Sequence, residues 1–117
     1  MSARHLIETY HRDWTCGDFD SARRWLAEDL DFKGSIDAFD RADDFVGALK
    51  GFQRMLRGVT LLRGLFEEDG AALLSDCDTA TPAGVIRTAE FFATKHGRIA
   101  EIRLIFDATA LRRLMQR

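Results

Sequence analysis

The chain has 117 residues, and domains commonly hold about 100–150, so residues 1–117 are expected to form a single domain. Its 17 basic and 19 acidic residues nearly cancel, and no basic stripe is present, so nucleic acid is not an expected partner. No apolar run approaches the roughly 20 residues that cross a bilayer, and no membrane association is expected. Two widely spaced cysteines, Cys16 and Cys77, favour free thiols in a reducing cytoplasm.

The first half of the sequence has the apolar spacing of amphipathic helices. We predict helices over residues 3–14, over a short segment N-capped by Asp18, and from about residue 40 to Gly58, with a brief extended segment at 30–33. In the third helix the acidic residues come first and the basic residues last, which suits the helix dipole.

After Gly58 the spacing becomes that of strands. Four are predicted, at residues 59–68, 71–79, 85–94 and 98–106, followed by a short helix capped by Asp107. The connections contain turn residues and are short, which requires antiparallel neighbours, so we expect a meander rather than a parallel sheet. Helices followed by strands indicate an α+β domain whose sheet bends around the helices.

Several segments carry a family resemblance. They are Gly17-Asp18-Phe19, Leu26-Ala27-Glu28-Asp29, Asp78, Thr81-Pro82-Ala83-Gly84, Ala89-Glu90-Phe91-Phe92, Gly97-Arg98-Ile99, Ile102-Arg103 and Phe106-Asp107. With the element order, this pattern resembles the nuclear-transport-factor-2-like (NTF2-like) superfamily, particularly its SnoaL-like members. The resemblance implies a cone-shaped, cystatin-like α+β fold, with N-terminal helices packed in a bent antiparallel sheet. It also implies a conical pocket and a homodimer built on the outer sheet face.

The superfamily includes isomerases, hydrolases, polyketide cyclases and non-catalytic binders, and a fold does not settle a function. Its steroid isomerases use a tyrosine on the first helix, an aspartate on the first strand and a second acid on a later strand. By resemblance, Tyr10 can take the place of the tyrosine, whereas Gly34 and Ala89 fall where the two acids would lie. Steroid isomerisation of that type is therefore not expected.

Alternation along the strands predicts another set of catalytic residues. If Phe91 faces the pocket, Arg87 faces it too, because side chains alternate between the two faces. The hairpin turn then sets Asp78 opposite Arg87, with Asp76 on the same face. Two carboxylates sharing one arginine can hold different protonation states, as an acid and a base require. Asp76, Asp78 and Arg87 are thus the predicted catalytic cluster, with Tyr10 as a hydrogen-bond donor.

Two alternatives remain open from the sequence. The cluster can instead be a cross-strand ion pair at the rim. A shift of one residue would turn both aspartates outward and bring Ser75 and Cys77 inward. Glu90 lies on the outer face near Arg103 in the first arrangement, as a structural or interface pair. In the reversed arrangement it becomes the buried acid and the best catalytic candidate.

The predicted pocket is lined by aromatic side chains, and no metal site or cofactor-binding motif is recognised. The residues assigned to ligand binding are Trp14, Phe32, Phe52, Phe91 and Phe106. The expected function is binding of a small, largely apolar organic molecule by a homodimer, with cofactor-free isomerase, cyclase or hydrolase activity. The alternatives are a non-catalytic carrier or sensor, and a dimerisation module whose cone is filled by its own side chains.

Overall fold

The computed structural model describes residues 2–115, in which the predicted helices and strands follow one another in the predicted order, with one further strand of two residues before the third helix. The helices are α1 (Ala3–Thr15), α2 (Phe19–Arg24), α3 (Ala42–Arg54) and α4 (Thr109–Met115). The strands are β1 (Leu26–Lys33), β2 (Ala38–Phe39), β3 (Leu56–Phe66), β4 (Gly70–Thr79), β5 (Val85–Lys95) and β6 (Arg98–Phe106). None of these helices is both long and apolar enough to span a membrane.

The strands form one curved sheet in the order β2-β1-β6-β5-β4-β3. Strands β3 to β6 form the predicted antiparallel meander. The expectation of an entirely antiparallel sheet is wrong at β1, which pairs in parallel with β6, Phe32 lying beside Ile102. The long stretch between these two strands contains α3 and the rest of the meander, and it returns the chain to the sheet in the same direction. The fold is therefore α+β with a mixed, curved sheet.

Helix α1 begins where Ser2 caps it, its hydroxyl accepting a hydrogen bond from the backbone N–H of His5 at 3.1 Å. It ends before Gly17, whose positive φ of 86° suits a residue without a side chain. The buried Asp13 carboxylate accepts a hydrogen bond from Trp25 Nε1 at 2.8 Å. This contact joins α1 to the residue that precedes β1.

Strands β4 and β5 show which side of the sheet faces the core. The buried inner face consists of Leu73, Ser75, Cys77 and Thr79 on β4 and of Ile86, Thr88, Glu90 and Phe92 on β5. Helix α1 covers part of this face, and the phenol ring of Tyr10 packs edge to face on Phe92, with ring centres 6.1 Å apart. The helices and the inner face of the sheet thus share one core.

The hairpin register differs from the prediction by two residues. Arg87 lies opposite Asp76 rather than Asp78, and Asp78 lies opposite Val85. The turn still has four residues but lies one residue earlier in the chain, because Thr79 rather than Ala80 closes the hairpin, donating its backbone N–H to the Gly84 carbonyl at 3.0 Å. A shift of two residues keeps these side chains on a common face, but that face is the outer one.

Candidate functional site

A cavity of about 430 Å³ opens between the inner face of the sheet, α3 and α4. This volume lies within the range of roughly 300–1,000 Å³ that is usual for ligand pockets. Asp37 and Thr88 are the polar residues of its wall among residues 2–115, and the other lining residues are apolar. Helix α4 contributes Leu111, Leu114 and Met115. A cavity of this size does not fit the interpretation of a cone filled by its own side chains.

Three of the five predicted ligand-binding residues line this cavity, namely Phe32, Phe52 and Phe106. Trp14 lies behind the wall, with its ring 6.5 Å from that of Phe52. Phe91 is on the outer face and 49% exposed, so its predicted position in the pocket is wrong. Strand β5 has apolar residues on both faces, and apolar character alone did not distinguish the inner from the outer face.

The predicted interior cluster of Asp76, Asp78 and Arg87 is wrong in its placement, because all three residues lie on the outer face of the hairpin. Arg87 donates two hydrogen bonds to Asp76, from Nε to Oδ1 at 2.8 Å and from Nη2 to Oδ2 at 3.0 Å. These contacts lower the pKa of Asp76. The three residues therefore lie across the sheet from the cavity, and the ion-pair alternative describes Asp76 and Arg87 correctly.

Among the acids considered as catalytic candidates, Glu90 is the one that faces the interior, as the reversed arrangement predicted. It lies on the inner face of β5 and is 8% exposed, and burial raises its pKa to about 7. No hydrogen bond or ion pair with the rest of residues 2–115 offsets this burial. Arg103, its predicted neighbour, instead donates a hydrogen bond to Asp31 at 3.0 Å and pairs with Glu101. The expectation that Glu90 lies on the outer face is therefore wrong.

Glu90 is close enough to Tyr10 for its charge to act on the phenol, and other buried polar groups lie in the interior. The Tyr10 hydroxyl, Trp14 Nε1 and the Ser75 hydroxyl are buried and have no hydrogen-bond partner within residues 2–115. Burial raises the pKa of the Tyr10 phenol well above its usual range, and the charge of Glu90 raises it further. His11 Nδ1 is a further unpartnered atom among the described residues, and such groups are unusual because buried polar groups are normally hydrogen-bonded.

Glu90 and Ser75 border the inner end of the cavity. Glu90 is the next inward-facing residue after Thr88, which lines the cavity, and its cross-strand neighbour Leu104 lines it too. Ser75 lies directly opposite Thr88 on the neighbouring strand. One end of the site is thus apolar and open, and the other is polar and enclosed.

Cys77 also faces the interior, but its chemistry is that of a protonated thiol. Burial and the neighbouring charge of Glu90 raise its pKa to about 11, so little thiolate forms near neutral pH. Within residues 2–115, no group of three or more His, Cys, Asp or Glu side chains is placed to hold a metal ion.

A bent mixed sheet around N-terminal helices, with a cavity at its open end, defines a cone-shaped α+β protein. No protein-family model matches the sequence, and no curated protein matches it. A crystal structure from Kribbella flavida superposes with a TM-score of 0.91 at 31% identity, covering 98% of this chain and 94% of that one. An NTF2-like protein of unknown function from Cytophaga hutchinsonii superposes with a TM-score of 0.82 at 15% identity, over 95% of each chain. The chain therefore has the fold of NTF2-like proteins, as its resemblance to SnoaL-like members predicted.

Some structures that share the fold are described as enzymes. An LEH-like epoxide hydrolase from M. tuberculosis has a TM-score of 0.76 at 16% identity, over 95% of this chain and 86% of that one. Proteins described as a polyketide cyclase from Sinorhizobium meliloti and a ketosteroid isomerase from Kribbella flavida have TM-scores of 0.77 and 0.76 at 16% and 14% identity. At this identity the likeness concerns the fold alone.

Proposed function

We propose that the protein binds a small, largely apolar organic molecule in the cavity and performs cofactor-free acid–base chemistry on it, with Glu90 as the catalytic residue. One observation carries this proposal. An unpartnered carboxyl group, buried at the inner end of an apolar cavity, has a pKa of about 7. Such a group is present in both protonation states near neutral pH, so it can accept a proton or donate one.

Tyr10 is the proposed hydrogen-bond donor beside Glu90. Its raised pKa keeps the phenol protonated throughout the physiological range, so the hydroxyl can polarise a substrate oxygen while Glu90 moves a proton. Proton transfer next to a carbonyl supports isomerisation or cyclisation, and protonation of a leaving oxygen supports hydrolysis. The fold neighbours described as an isomerase, a cyclase and an epoxide hydrolase fall in these reaction classes.

The test uses Glu90→Gln, which removes the titrating group with little change in shape. The purified protein is assayed with a panel of cyclic enones, β-keto esters and aryl epoxides, and product formation and solvent deuterium uptake are followed by NMR. We expect Glu90→Gln to reduce turnover by about 100-fold or more. Glu101→Gln is the matched control, because Glu101 is half-exposed on the neighbouring strand and pairs with Arg103. Equal turnover by Glu90→Gln and the unaltered protein would contradict the proposal.

The second candidate function is a carrier or sensor that uses the same cavity without catalysis. The predominantly apolar wall favours it, because such a surface holds a ligand without needing a reactive group. This function predicts a ligand that co-purifies in native mass spectra and that the protein leaves chemically unchanged. Conversion of a panel compound, lost in Glu90→Gln, would exclude it.

We also propose that the outer face of the sheet forms a homodimer interface. Val85, Phe91 and Ile105 are 60%, 49% and 59% exposed on adjacent strands, and Ala89 pairs with Ile105 between them. Large exposed apolar patches favour association with another protein surface. The resemblance to the superfamily selects a second copy of this chain as the partner. A cytoplasmic location is part of the same proposal and is compatible with the two free thiols.

A further inference from the structure

We infer that Asp37 recognises a positively charged group at the mouth of the cavity, so that the cavity takes ligands with an apolar body and an ammonium group in preference to neutral or anionic molecules of similar shape. The inference rests on the proposed function of the cavity as a binding site, and it specifies the class of ligand. It concerns a residue to which acid–base chemistry at Glu90 assigns no role.

The position of Asp37 brings its carboxylate to the edge of the cavity wall. Asp37 lies between β1 and β2, lines the cavity and has an exposed side chain. A Cβ atom added at Gly34 would lie 3.2 Å from Asp37 Oδ1 and 3.0 Å from Cζ of Phe32. The carboxylate and the Phe32 ring therefore lie over the same glycine. Because Phe32 belongs to the wall, the carboxylate lies where the aromatic wall meets solvent.

The fold makes no use of this carboxylate. Partial burial raises the pKa of Asp37, and no hydrogen bond or nearby positive charge within residues 2–115 offsets it. Arg112, which comes to the same loop from α4, donates instead to the Ser35 carbonyl at 3.1 Å. By contrast, Asp43 accepts a hydrogen bond from Arg23 at 2.7 Å. The charge of Asp37 is thus available to a ligand.

The composition of the wall determines the charge that the ligand should carry. Among residues 2–115, Asp37 is the charged residue of the wall, and no Lys or Arg lines the cavity. A bound molecule that covers the mouth displaces water from the carboxylate, which strengthens its attraction to a cation and its repulsion of an anion. An ammonium group also donates hydrogen bonds to a carboxylate. The remaining wall is apolar apart from Thr88, and it suits a hydrocarbon body.

The first experiment measures affinity at pH 7 by isothermal titration calorimetry for three compounds with the same indane skeleton. 1-Aminoindane carries an ammonium group, 1-indanol is neutral, and indane-1-carboxylate is an anion. We expect the unaltered protein to bind 1-aminoindane most tightly, with about tenfold or greater preference over indane-1-carboxylate. Binding of the carboxylate as tightly as the amine, or no measurable binding of the amine at millimolar concentration, would overturn the inference.

The second experiment tests whether this preference depends on Asp37. Asp37→Asn should weaken the binding of 1-aminoindane by about threefold to tenfold and leave that of 1-indanol unchanged. Asp40→Asn is the matched control, because it removes the same charge close by in the sequence from a residue that does not line the cavity. A preference that survives Asp37→Asn, or an equal loss in Asp40→Asn, would overturn the inference.

The third experiment measures stability without any ligand. Asp37→Ala should leave the melting temperature unchanged or raise it, because the carboxylate has no partner in the fold. Asp18→Ala should lower it, because the Asp18 carboxylate caps α2 by accepting the Ser21 N–H at 3.2 Å. An equal decrease in the two variants would overturn the inference, since it would show that the fold itself uses the Asp37 carboxylate.

The outcomes separate this inference from the proposed catalysis. If Glu90→Gln keeps full turnover while the preference for the amine depends on Asp37, the catalysis fails and the recognition of a cation stands. If the preference survives Asp37→Asn while Glu90→Gln abolishes turnover, the role of Asp37 fails and that of Glu90 stands.

Discussion

The Glu90 carboxyl group and the Tyr10 phenol share one buried interior, and the pKa of the phenol is raised by burial and, in addition, by the charge of Glu90. Tyr10 packs on Phe92, which is the next inward-facing residue after Glu90 on β5. A buried acid and a buried phenol without other partners form a pair whose energy depends strongly on the protonation of the acid. This dependence makes the pair accessible to measurement before any substrate is known.

Stability should fall as the pH rises through the range in which Glu90 titrates. The folded protein keeps Glu90 protonated up to about pH 7, whereas the unfolded chain loses this proton near the ordinary pKa of 4.5. The contribution of Glu90 to the free energy of unfolding is therefore fully present below pH 4.5 and is lost as the pH rises to about 7.

The size of this effect is expected to be about 3 kcal/mol. Urea unfolding of the unaltered protein and of Glu90→Gln at pH 5 and pH 8 measures this effect. The contributions of the other titrating groups cancel in the difference between the two proteins. The free energy of unfolding of Glu90→Gln, relative to that of the unaltered protein, should increase from pH 5 to pH 8. A constant difference across the range would show that Glu90 does not titrate there.

Tyr10→Phe should separate stability from catalysis. The hydroxyl has no partner within residues 2–115, so removing it should leave the free energy of unfolding unchanged or raise it by about 1 kcal/mol. If the phenol stabilises charge on a substrate oxygen, kcat should fall by about tenfold to 100-fold with a smaller change in KM. Denaturant unfolding and steady-state kinetics give the two quantities. A large loss of stability, or an unchanged kcat, would contradict the role proposed for Tyr10.

Replacing the aspartates of the outer face should not affect turnover. Asp76→Asn disrupts the bidentate ion pair with Arg87. Asp78→Asn changes a side chain on the same outer face. Neither side chain reaches the cavity, so kcat/KM for any compound of the panel should stay at its original value in both variants. Loss of turnover in either variant, with the fold retained in circular dichroism, would show that the outer face contributes to the reaction.

The sequence was sufficient to predict the helices, the meander and the α+β fold, because these depend on periodicity and turn residues. The two faces of β5 could not be distinguished, since Val85 and Phe91 lie on one face and Ile86 and Phe92 on the other. The assignment of Glu90 therefore depended on tertiary packing against α1. The parallel pairing of β1 with β6 also could not be predicted, because it joins segments that are far apart in the chain and leaves no local sequence signal.

The proposed dimer predicts that a charge in the outer apolar patch produces monomers. Phe91→Asp places a carboxylate within the patch, where burial against a second copy would desolvate it. Analytical ultracentrifugation should give a dimer for the unaltered protein and a monomer for Phe91→Asp. Leu62→Asp is the control, because Leu62 is 43% exposed on the edge strand β3, away from the patch. A monomeric unaltered protein, or a dimer that survives Phe91→Asp, would contradict the proposed interface.

Filling the cavity should remove ligand binding while the fold is retained. Ala48 lines the cavity on α3 and is exposed, so Ala48→Phe adds a ring in the open part of the site without displacing core side chains. We expect at least a tenfold loss of affinity for 1-aminoindane, which corresponds to about 1.4 kcal/mol.

The control for this variant is Gly47→Ala on the same helix, where an added methyl group meets no atom within 4 Å. It should raise the free energy of unfolding by about 0.5–1 kcal/mol, because alanine is the better helix former, and it should leave affinity unchanged. Calorimetric titration and urea unfolding of both variants give these values. Undiminished affinity in Ala48→Phe would mean that the molecule binds elsewhere on the protein, since a phenylalanine ring occupies much of the space that the cavity offers.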